Sequence, residues 1–410
     1  MDKLVVALDA GSTRVRALVV GQEVGEAPQV LGHGFVDSNG INRSTVVDME
    51  AATRVIEAAV SKAADNSSCR IQFVTANLGG VHLGTQPSDG AVPVAMGEVT
   101  RDDVQRVHDA ARAIQLVPGQ SVVEVVSRQY LIDGQSGIKV PVGMSGVRLA
   151  AEVTLVTGSD ASAQNFRKCI HSAGVGCDRF IPSALAAAVA CLNDADKELG
   201  VCLVDIGGGT TDVAVFKDGA LQYLAVLPVA GQHLTTDLAV AAHINFDDAE
   251  TIKCKYGTAY LDPELDAERM EESIPVRRVD GFESADWSRR LVVDYTQPRV
   301  REILELVSGQ IASSGLGDVL GAGVVLTGGT ARLERIAPLA KSILGLPVRL
   351  GQIHGLNADQ KFLADPGMAV LAGLAVSACQ GEIETGRAKP RRSQGMSGLK
   401  AGLQRLFKQF

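Results

Sequence analysis

The chain has 410 residues, of which 46% are hydrophobic, 21% are charged and 4% are aromatic. Because a single hydrophobic core rarely grows beyond about 250–300 residues, this length predicts at least two lobes. The net charge of −8 excludes general nucleic-acid binding, which requires a basic surface.

The first part of the chain alternates strand and helix signals. Apolar runs predict strands at residues 4–8, 17–20 and 71–76. Asp48 can cap a helix over residues 49–64. From about residue 80 to 155, short strands alternate with turns that contain Gly and Pro, around one helix at residues 101–114. This change in texture predicts an inserted small α+β domain.

The second part of the chain repeats the layout of the opening. Two helices, at residues 161–173 and 183–192, are predicted between the inserted domain and this second part. An apolar strand at residues 201–204 then ends in an aspartate, and a turn rich in glycine and hydroxyls leads to a strand at 213–216. The charged stretch 245–313 is predicted to be helical. A strand at 324–326 and a helix near 333–344 follow.

The seven cysteines form no CxxC pair, and the histidines show no metal-ligand spacing. Scattered cysteines of this kind predict reduced core thiols in a cytoplasmic protein. Asp2 and Asp9 interrupt the apolar stretch that a signal peptide would need. No run approaches 18 uncharged apolar residues, the length typical of a membrane span. We therefore expect neither a secretion signal nor a span.

Two strand–turn–strand segments have the composition of phosphate-binding hairpins, and each begins with an aspartate, Asp9 or Asp205. The turn residues are Gly11, Ser12, Thr13 and Arg14 in the first segment and Gly207, Gly208, Gly209, Thr210 and Thr211 in the second. Glycine lets backbone N–H groups approach a phosphate without a Cβ clash, and the hydroxyls add donors. The two carboxylates would repel phosphates unless Mg²⁺, with its water shell, lay between them.

A third glycine pair, Gly328-Gly329, follows an apolar strand and offers a flat backbone surface for a nucleoside. Either hairpin alone is compatible with an ordinary glycine turn. Two hairpins, one near the start of each predicted lobe, followed by this pair, together predict a nucleotide site.

The ordered set of two hairpins and a late Gly-Gly resembles the superfamily of actin, hexokinase and the heat-shock chaperones. Over essentially its whole length the chain resembles the FtsA family of bacterial cell-division proteins. The segments that carry this resemblance are residues 137–149, 199–210 and 325–329. The first of them belongs to a small domain peculiar to that family. The resemblance implies an α/β, actin-like two-lobed fold of ribonuclease-H-like subdomains, with an inserted small α+β subdomain 1C and ATP in the cleft between the lobes.

The resemblance also implies domain boundaries. They are residues 1–79 and 158–195 for subdomain 1A with a returning helix near 365–384, 80–157 for 1C, 196–243 and 314–364 for 2A, 244–313 for 2B, 385–396 for a flexible linker and 397–410 for an amphipathic membrane-targeting helix.

Further nucleotide contacts follow from the resemblance. Gly231, with the nearby Thr235 and Asp237, matches a turn before a helix that borders the phosphates. Glu250 and Lys253, three residues apart and so on one helix face, match a pair that contacts ribose and base. The alternative for this pair is a plain surface ion pair. Thr330, beside Gly328-Gly329, completes the predicted cofactor-binding set.

One position departs from the hydrolytic members of the superfamily. They carry a Glu or Gln just before the Ala-rich helix, where it orients the attacking water. Here Pro182 stands at that position, and it can neither orient nor deprotonate water. We therefore expect no catalytic residue there, and ATP binding with at most slow hydrolysis.

The C-terminal segment has the pattern of an amphipathic helix that lies on a membrane. Its apolar stripe includes Leu399, Leu403, Leu406, Phe407 and Phe410, flanked by Lys400, Arg405 and Lys408. About 14 residues make a helix of roughly 21 Å, too short to span a bilayer but suited to its interface. From residue 387 onward there are seven Lys or Arg and no acidic residue, which favours an anionic lipid surface. The alternative is a helix that docks on the protein's own core.

The resemblance implies a cytoskeletal adaptor that polymerises with itself. It would tether filaments of the tubulin-like FtsZ to the cytoplasmic face of the inner membrane at the division septum, and recruit later division proteins. Its contact would be the FtsZ C-terminal peptide, received on subdomain 2B. The candidate residues are Arg289, Arg290, Arg299 and Arg301, with a solvated helix face as the alternative.

Two rival functions share this fold. A chaperone or sugar kinase would need a catalytic carboxylate near the Ala-rich helix or a peptide-binding domain after residue 380, and the sequence has neither. A pilus-assembly relative of FtsA should lack a tail like residues 399–410, so truncation of the tail in cells would distinguish it.

Overall fold

The computed structural model describes residues 3–23, 25–279 and 285–380. The first lobe begins with five strands, a helix and a sixth strand. These are β1 (Lys3–Ala10), β2 (Arg14–Gln22), β3 (Gln29–Asp37), β4 (Ile41–Asn42), β5 (Thr45–Val46), α1 (Met49–Ser67) and β6 (Phe73–Leu78). Asp48 caps α1 as predicted, because its side chain accepts from the backbone N–H groups of Glu50 and Ala51.

A four-stranded antiparallel sheet and one helix then interrupt the first lobe; we call β7 to β10 with this helix the insert. Its elements are β7 (Gly84–Pro93), α2 (Arg101–Arg112), β8 (Gln120–Ile132), β9 (Gln135–Ile138) and β10 (Arg148–Ser159). Their sheet order is β7-β10-β8-β9. The insert has a hydrophobic core of its own, around Val107, Leu149 and Leu155.

The chain returns to the first lobe and completes its sheet. The returning elements are α3 (Asp160–Ser172), β11 (Gly176–Pro182), α4 (Ser183–Cys191) and α5 (Asp194–Leu199). The sheet order is β11-β6-β1-β2-β3, with β1 antiparallel to β2 and parallel to β6.

The second lobe repeats this arrangement. Its elements are β12 (Val201–Ile206), β13 (Thr211–Lys217), β14 (Ala220–Leu227), α6 (Gly231–Ala242), α7 (Phe246–Tyr256), α8 (Ala267–Met270), β15 (Ser273–Val276), β16 (Ala285–Ser288), α9 (Arg289–Ser313), β17 (Val324–Thr327), α10 (Ile336–Leu344), β18 (Val348–Leu350), α11 (Gln360–Leu363) and α12 (Ala369–Gln380). Its main sheet has the order β14-β13-β12-β17-β18, with the same pattern of parallel and antiparallel pairs as the first. Both lobes therefore place a central strand and its hairpin in equivalent positions.

The central strands are apolar along their length because helices cover both faces of each sheet. All six residues of β12 and six of the eight residues of β1 are buried. α12 packs on β1 and on the Ala-rich α4. A Cβ added to Gly373 of α12 would lie 1.7 Å from the carbonyl oxygen of Ala186 in α4, so these two helices touch through their backbones.

The prediction that residues 245–313 are helical is wrong in part. β15 and β16 form an antiparallel hairpin between α8 and α9. Ile274 and Val276 alternate with exposed residues along β15, and they pack with Trp287 in a small core beside α6. The alternation of polar and apolar residues along β15 covers only four positions, which is too short to indicate a strand within a charged stretch of sequence.

The predicted linker (385–396) and amphipathic helix (397–410) lie outside the described residues. Among residues 3–23, 25–279 and 285–380, the structure has no helix that is both long enough and apolar enough to cross a membrane.

Candidate functional site

The hairpins that follow the two central strands face each other across a cleft between the lobes. The first hairpin contributes Asp9, Gly11, Ser12, Thr13, Arg14 and Arg16, and the second contributes Asp205, Gly207, Gly208, Gly209, Thr210 and Asp212. Gly328 and Gly329, which follow β17, line a third side. The structure thus brings the three glycine-bearing segments together around one space.

The two hairpins differ at one equivalent position. Across the β1–β2 pair, Asp9 stands opposite Arg16, and Arg16 Nη1 donates to Asp9 Oδ2 at 2.9 Å. Across the β12–β13 pair, Asp205 stands opposite Asp212. The first hairpin is therefore neutralised internally, while the second holds two facing carboxyl groups.

Burial and mutual repulsion disfavour the ionised form of these carboxyl groups. Burial raises the pKa of Asp9, against the lowering effect of Arg16. Burial raises the pKa of Asp205 well above its usual range, and Asp212 and Asp9 add to the effect. Burial also raises the pKa of Asp212 to about 7. Asp212 Oδ1 has no hydrogen-bond partner among the described residues.

The charges of the cleft fit a hydrated divalent cation. Arg16 supplies one positive charge beside the three buried carboxyl groups of Asp9, Asp205 and Asp212, and Asp212 Oδ1 accepts no hydrogen bond from the described residues. In the described part of the chain, no three or more His, Cys, Asp or Glu residues are placed to hold a metal directly. Buried carboxyl groups with an unpartnered oxygen have the chemistry to face a hydrated divalent cation, which takes its remaining oxygens from water and from a ligand.

The glycines allow close approach of the surrounding backbone. A Cβ on Gly328, at φ 88°, would lie 2.2 Å from Asp205 Oδ1. A Cβ on Gly208 would lie 2.2 Å from Thr13 Cγ2, and one on Gly209 would lie 2.4 Å from Ser12 Oγ. The two hairpins thus touch each other directly, so phosphates bound between them would have to move them apart.

Two predicted cleft residues turn away from the space. The prediction that the Thr211 hydroxyl faces the phosphates is wrong, because Thr211 is fully buried and its hydroxyl donates to Val229 O at 2.7 Å. The Thr330 hydroxyl donates to Gly207 O at 2.7 Å. The Thr330 side chain therefore holds the second hairpin in place through its backbone and does not line the cleft.

Glu250 and Lys253 form more than a plain surface pair. Lys253 Nζ lies 2.6 Å from Glu250 Oε2, and it donates to Thr235 Oγ1 at 2.8 Å and to Gly231 O at 3.1 Å. Burial acts to raise the pKa of Glu250, but Lys253 and the hydrogen bonds prevail and lower it. This polar cluster fixes α7 to the first turn of α6, and Gly231 N in turn donates to Gly207 O at 3.1 Å.

The four arginines predicted as a partner contact have different environments. Arg289 pairs with Glu272 at 3.0 Å, and Arg299 pairs with Asp237 at 2.8 Å. Asp237 therefore lies in α6 facing α9, rather than at a turn beside the phosphates. Arg290 and Arg301 are exposed, and Arg290 lies 3.9 Å from a carboxylate oxygen of Asp294 on the next turn of α9.

Several cleft residues were missed by sequence reasoning. Arg16 and Asp212 could have been found, because they follow the predicted turns by two positions and by one position, and stand opposite the two aspartates. Ser44, Asn77 and Ser183 could not, because their hydrogen bonds join distant parts of the chain. Asn77 Oδ1 accepts from Ala10 N at 2.8 Å, and Asn77 Nδ2 donates to Ser183 Oγ at 3.2 Å. The other missed lining residues are Pro366, Gly367 and Val370.

Pro182 ends β11 and precedes α4 at the edge of the cleft, with φ −53° and no side-chain cap for the helix. Ser183 lines the cleft beside it. Pro182 has no side-chain group that could act as a general base.

The solved structures that resemble this chain share an actin-like fold. The PilM–PilN type IV pilus biogenesis complex matches with a TM-score of 0.64 at 15% identity, covering 91% of this chain and 98% of that one. MreB5 of Spiroplasma citri bound to ADP matches with a TM-score of 0.58 at 16% identity, covering 92% and 97%. At these identities the likeness shows the fold alone. It confirms the predicted two-lobed actin-like α/β architecture.

Sequence comparisons identify the family. The model "Cell division protein FtsA" matches residues 202–373, and the model "SHS2 domain inserted in FTSA" matches residues 80–157. FtsA of Pseudomonas aeruginosa is 36% identical over 395 residues, covering 96% of this chain and 91% of that protein. FtsA of Escherichia coli K12 is 34% identical, covering 91% and 89%, and FtsA of Bacillus subtilis is 31% identical, covering 94% and 86%. The chain therefore belongs to the FtsA family of cell-division proteins.

Proposed function

We propose that this protein binds Mg–ATP in the cleft, assembles into filaments and tethers FtsZ filaments to the cytoplasmic face of the inner membrane at the division septum. From there it recruits later division proteins. The observation that carries the nucleotide part is the meeting of two glycine hairpins and three buried carboxyl groups in one cleft. Family membership supports the role in cell division.

Different residues of the cleft would contact the phosphates, the cation and the nucleoside. Backbone N–H groups and hydroxyls of both hairpins would hold the phosphates. Asp9, Asp205 and Asp212 would face the hydrated Mg²⁺, whose charge offsets theirs and that of the phosphates. Gly328-Gly329 would lie under the nucleoside. Glu250 and Lys253 would approach the ribose and base from the side of α6.

Slow turnover is part of the proposal. Pro182 leaves the water-orienting position without a base, so ATP would act as a conformational ligand rather than as a substrate in fast turnover.

Assembly into filaments would strengthen membrane binding, because many weakly binding tails on one filament bind a membrane by avidity. Subdomains 1A, 1C, 2A and 2B, with the boundaries given above, remain our proposed division of the chain. The FtsZ peptide would contact exposed arginines such as Arg290 and Arg301.

The nucleotide part is tested by calorimetric titration of ATP with and without Mg²⁺. Asp205→Ala should weaken Mg–ATP binding about tenfold or more, since it removes a carboxylate that faces the cation. Asp89→Ala is the matched control, because Asp89 is exposed in the insert, outside the cleft. Equal affinity of wild type and Asp205→Ala for Mg–ATP would contradict the assigned metal side of the cleft.

A further inference from the structure

The tip of a short hairpin reaches the cleft from the first lobe. β4 and β5 are joined by only two residues, Arg43 and Ser44, with φ values of 46° and 56°. Turns of this kind require positive φ at both central positions and are normally built from pairs such as Asn-Gly. Arginine and serine rarely adopt that conformation. Strained backbone of this kind concentrates at functional sites.

This turn contacts both phosphate hairpins. Ser44 N donates to Ser12 Oγ at 3.0 Å, and Ser44 Oγ lies 3.3 Å from Thr210 Oγ1. A Cβ on Gly209 would lie 3.1 Å from the Cα of Arg43. Ser44 is buried and lines the cleft. The turn therefore bridges the two hairpins at the place where bound phosphates would separate them.

The same turn packs against the root of the insert, which we define as residues 79–83 and 156–160. A Cβ on Gly79 would lie 2.7 Å from the Cβ of Ser44, and one on Gly80 would lie 3.3 Å from Thr45 Oγ1. His82 Nδ1 accepts from Ser159 N at 3.2 Å, which ties the two chain segments of the root together. Because close-packed groups cannot move independently, displacement of the turn must displace the root.

We propose that the Arg43–Ser44 turn senses the terminal phosphate of a bound nucleoside triphosphate and transmits the nucleotide state to the root of the insert. This inference rests on the nucleotide binding proposed above. Arg43 is exposed and has no ion-pair partner within residues 3–23, 25–279 and 285–380. Its guanidinium is therefore free to bind phosphate oxygens, for which its planar fork is well suited. The Ser44 hydroxyl gains a phosphate acceptor when Thr210 moves away.

The test uses a variant that keeps the turn and removes the sensing groups. Arg43→Asn with Ser44→Gly gives the preferred pair for this turn, so the variant should fold at least as stably as wild type. We expect it to bind ADP within about twofold of wild type and ATP about tenfold more weakly, the size of one lost charge-assisted contact.

Hydrogen–deuterium exchange of the full chain then reports on the root. In wild type, amide exchange across residues 79–83 and 156–160 should differ between Mg–AMPPNP and Mg–ADP, and in the double variant this difference should vanish. Arg70→Gln is the matched control, because Arg70 is an exposed arginine of the same lobe beyond the opposite end of β6. It should behave as wild type does.

The outcomes separate this proposal from the one on which it rests. A double variant that keeps the wild-type difference at the root overturns the sensor, as does an Arg70→Gln protein that loses it. Wild type that binds both nucleotides with identical exchange at the root also overturns the sensor, but leaves nucleotide binding intact. Wild type that binds neither nucleotide overturns both proposals.

Discussion

At the scale of single residues, the charge of the cleft is set by one position in each hairpin. Arg16 and Asp212 occupy equivalent positions opposite Asp9 and Asp205. When Asp205 and Asp212 are both ionised, the second hairpin holds two buried negative charges, and desolvation disfavours this state. A cation that binds with the nucleotide would stabilise the two carboxylates. The pair Asp205 and Asp212 is therefore expected to couple proton release to Mg–ATP binding.

This coupling predicts a pH dependence. Burial raises the pKa of Asp212 to about 7, and a bound cation favours the ionised form. Mg–ATP affinity should therefore fall as pH decreases from about 8 to 6, by up to about tenfold per pH unit below the pKa. Calorimetric titration at several pH values measures this slope. Asp212→Asn should flatten it, and an unchanged slope in that variant would contradict the assignment.

A second residue-scale prediction concerns His108 in the core of the insert. His108 Nε2 lies 2.9 Å from both Ser127 Oγ and Tyr130 OH. Burial lowers the pKa of His108 in the folded state, so below about pH 6.5 the unfolded chain binds a proton at this histidine more readily than the folded chain does. The contribution of neutral His108 to the free energy of unfolding is therefore complete above that pH. It is lost as pH falls, by at most about 1.4 kcal/mol per pH unit.

Hydrogen–deuterium exchange of α2 and β8 at pH 7 and pH 5.5, corrected for intrinsic rates, measures this loss. The control is His33→Gln, an exposed histidine whose removal should leave the pH effect unchanged. His108→Gln should abolish the effect. Equal protection of the two elements at both pH values in wild type would show that His108 does not carry it.

At the scale of elements, backbone contact between α4 and α12 fixes the first lobe beside the cleft. Gly373→Ala would place a methyl group against the carbonyl oxygen of Ala186, and we expect it to lower the free energy of unfolding by about 1–3 kcal/mol. Gly309→Ala in α9 is the matched control, because a Cβ there meets nothing within 4 Å. It should stabilise the protein by about 0.4–1 kcal/mol. Denaturant unfolding compares the two, and a neutral Gly373→Ala would contradict the contact.

The elements also show how far the sequence could predict the structure. β1, β12 and β17 were predictable because both faces of each sheet are covered, which makes the central strands continuously apolar. β4 and β5 were not predictable, since two-residue strands carry no periodicity. The contact between Ser44 and Thr210 spans 166 residues, and no local pattern encodes it. The cleft was therefore predicted by its hairpins but not by the turn that bridges them.

At the scale of the whole molecule, we propose that a nucleotide cleft, self-assembly and a membrane-binding tail act together. The apolar stripe and flanking basic residues of the tail predict reversible binding by one copy and firm binding by many. Leu403→Glu with Phe407→Glu places two carboxylates in the predicted stripe, so each substitution removes an apolar group that would enter the lipid and adds repulsion from anionic lipid. This double variant should retain Mg–ATP binding and lose its attachment to lipid.

The measurement that tests the central claim most directly is electron microscopy of the full chain on an anionic lipid monolayer, with and without Mg–ATP. We expect ordered filaments on the lipid with wild type and Mg–ATP, few or none without nucleotide, and none with the Leu403→Glu, Phe407→Glu variant. If wild type with Mg–ATP forms no filaments on the monolayer, or if the tail variant covers the monolayer equally well, nucleotide-dependent filaments are not held on lipid by the tail.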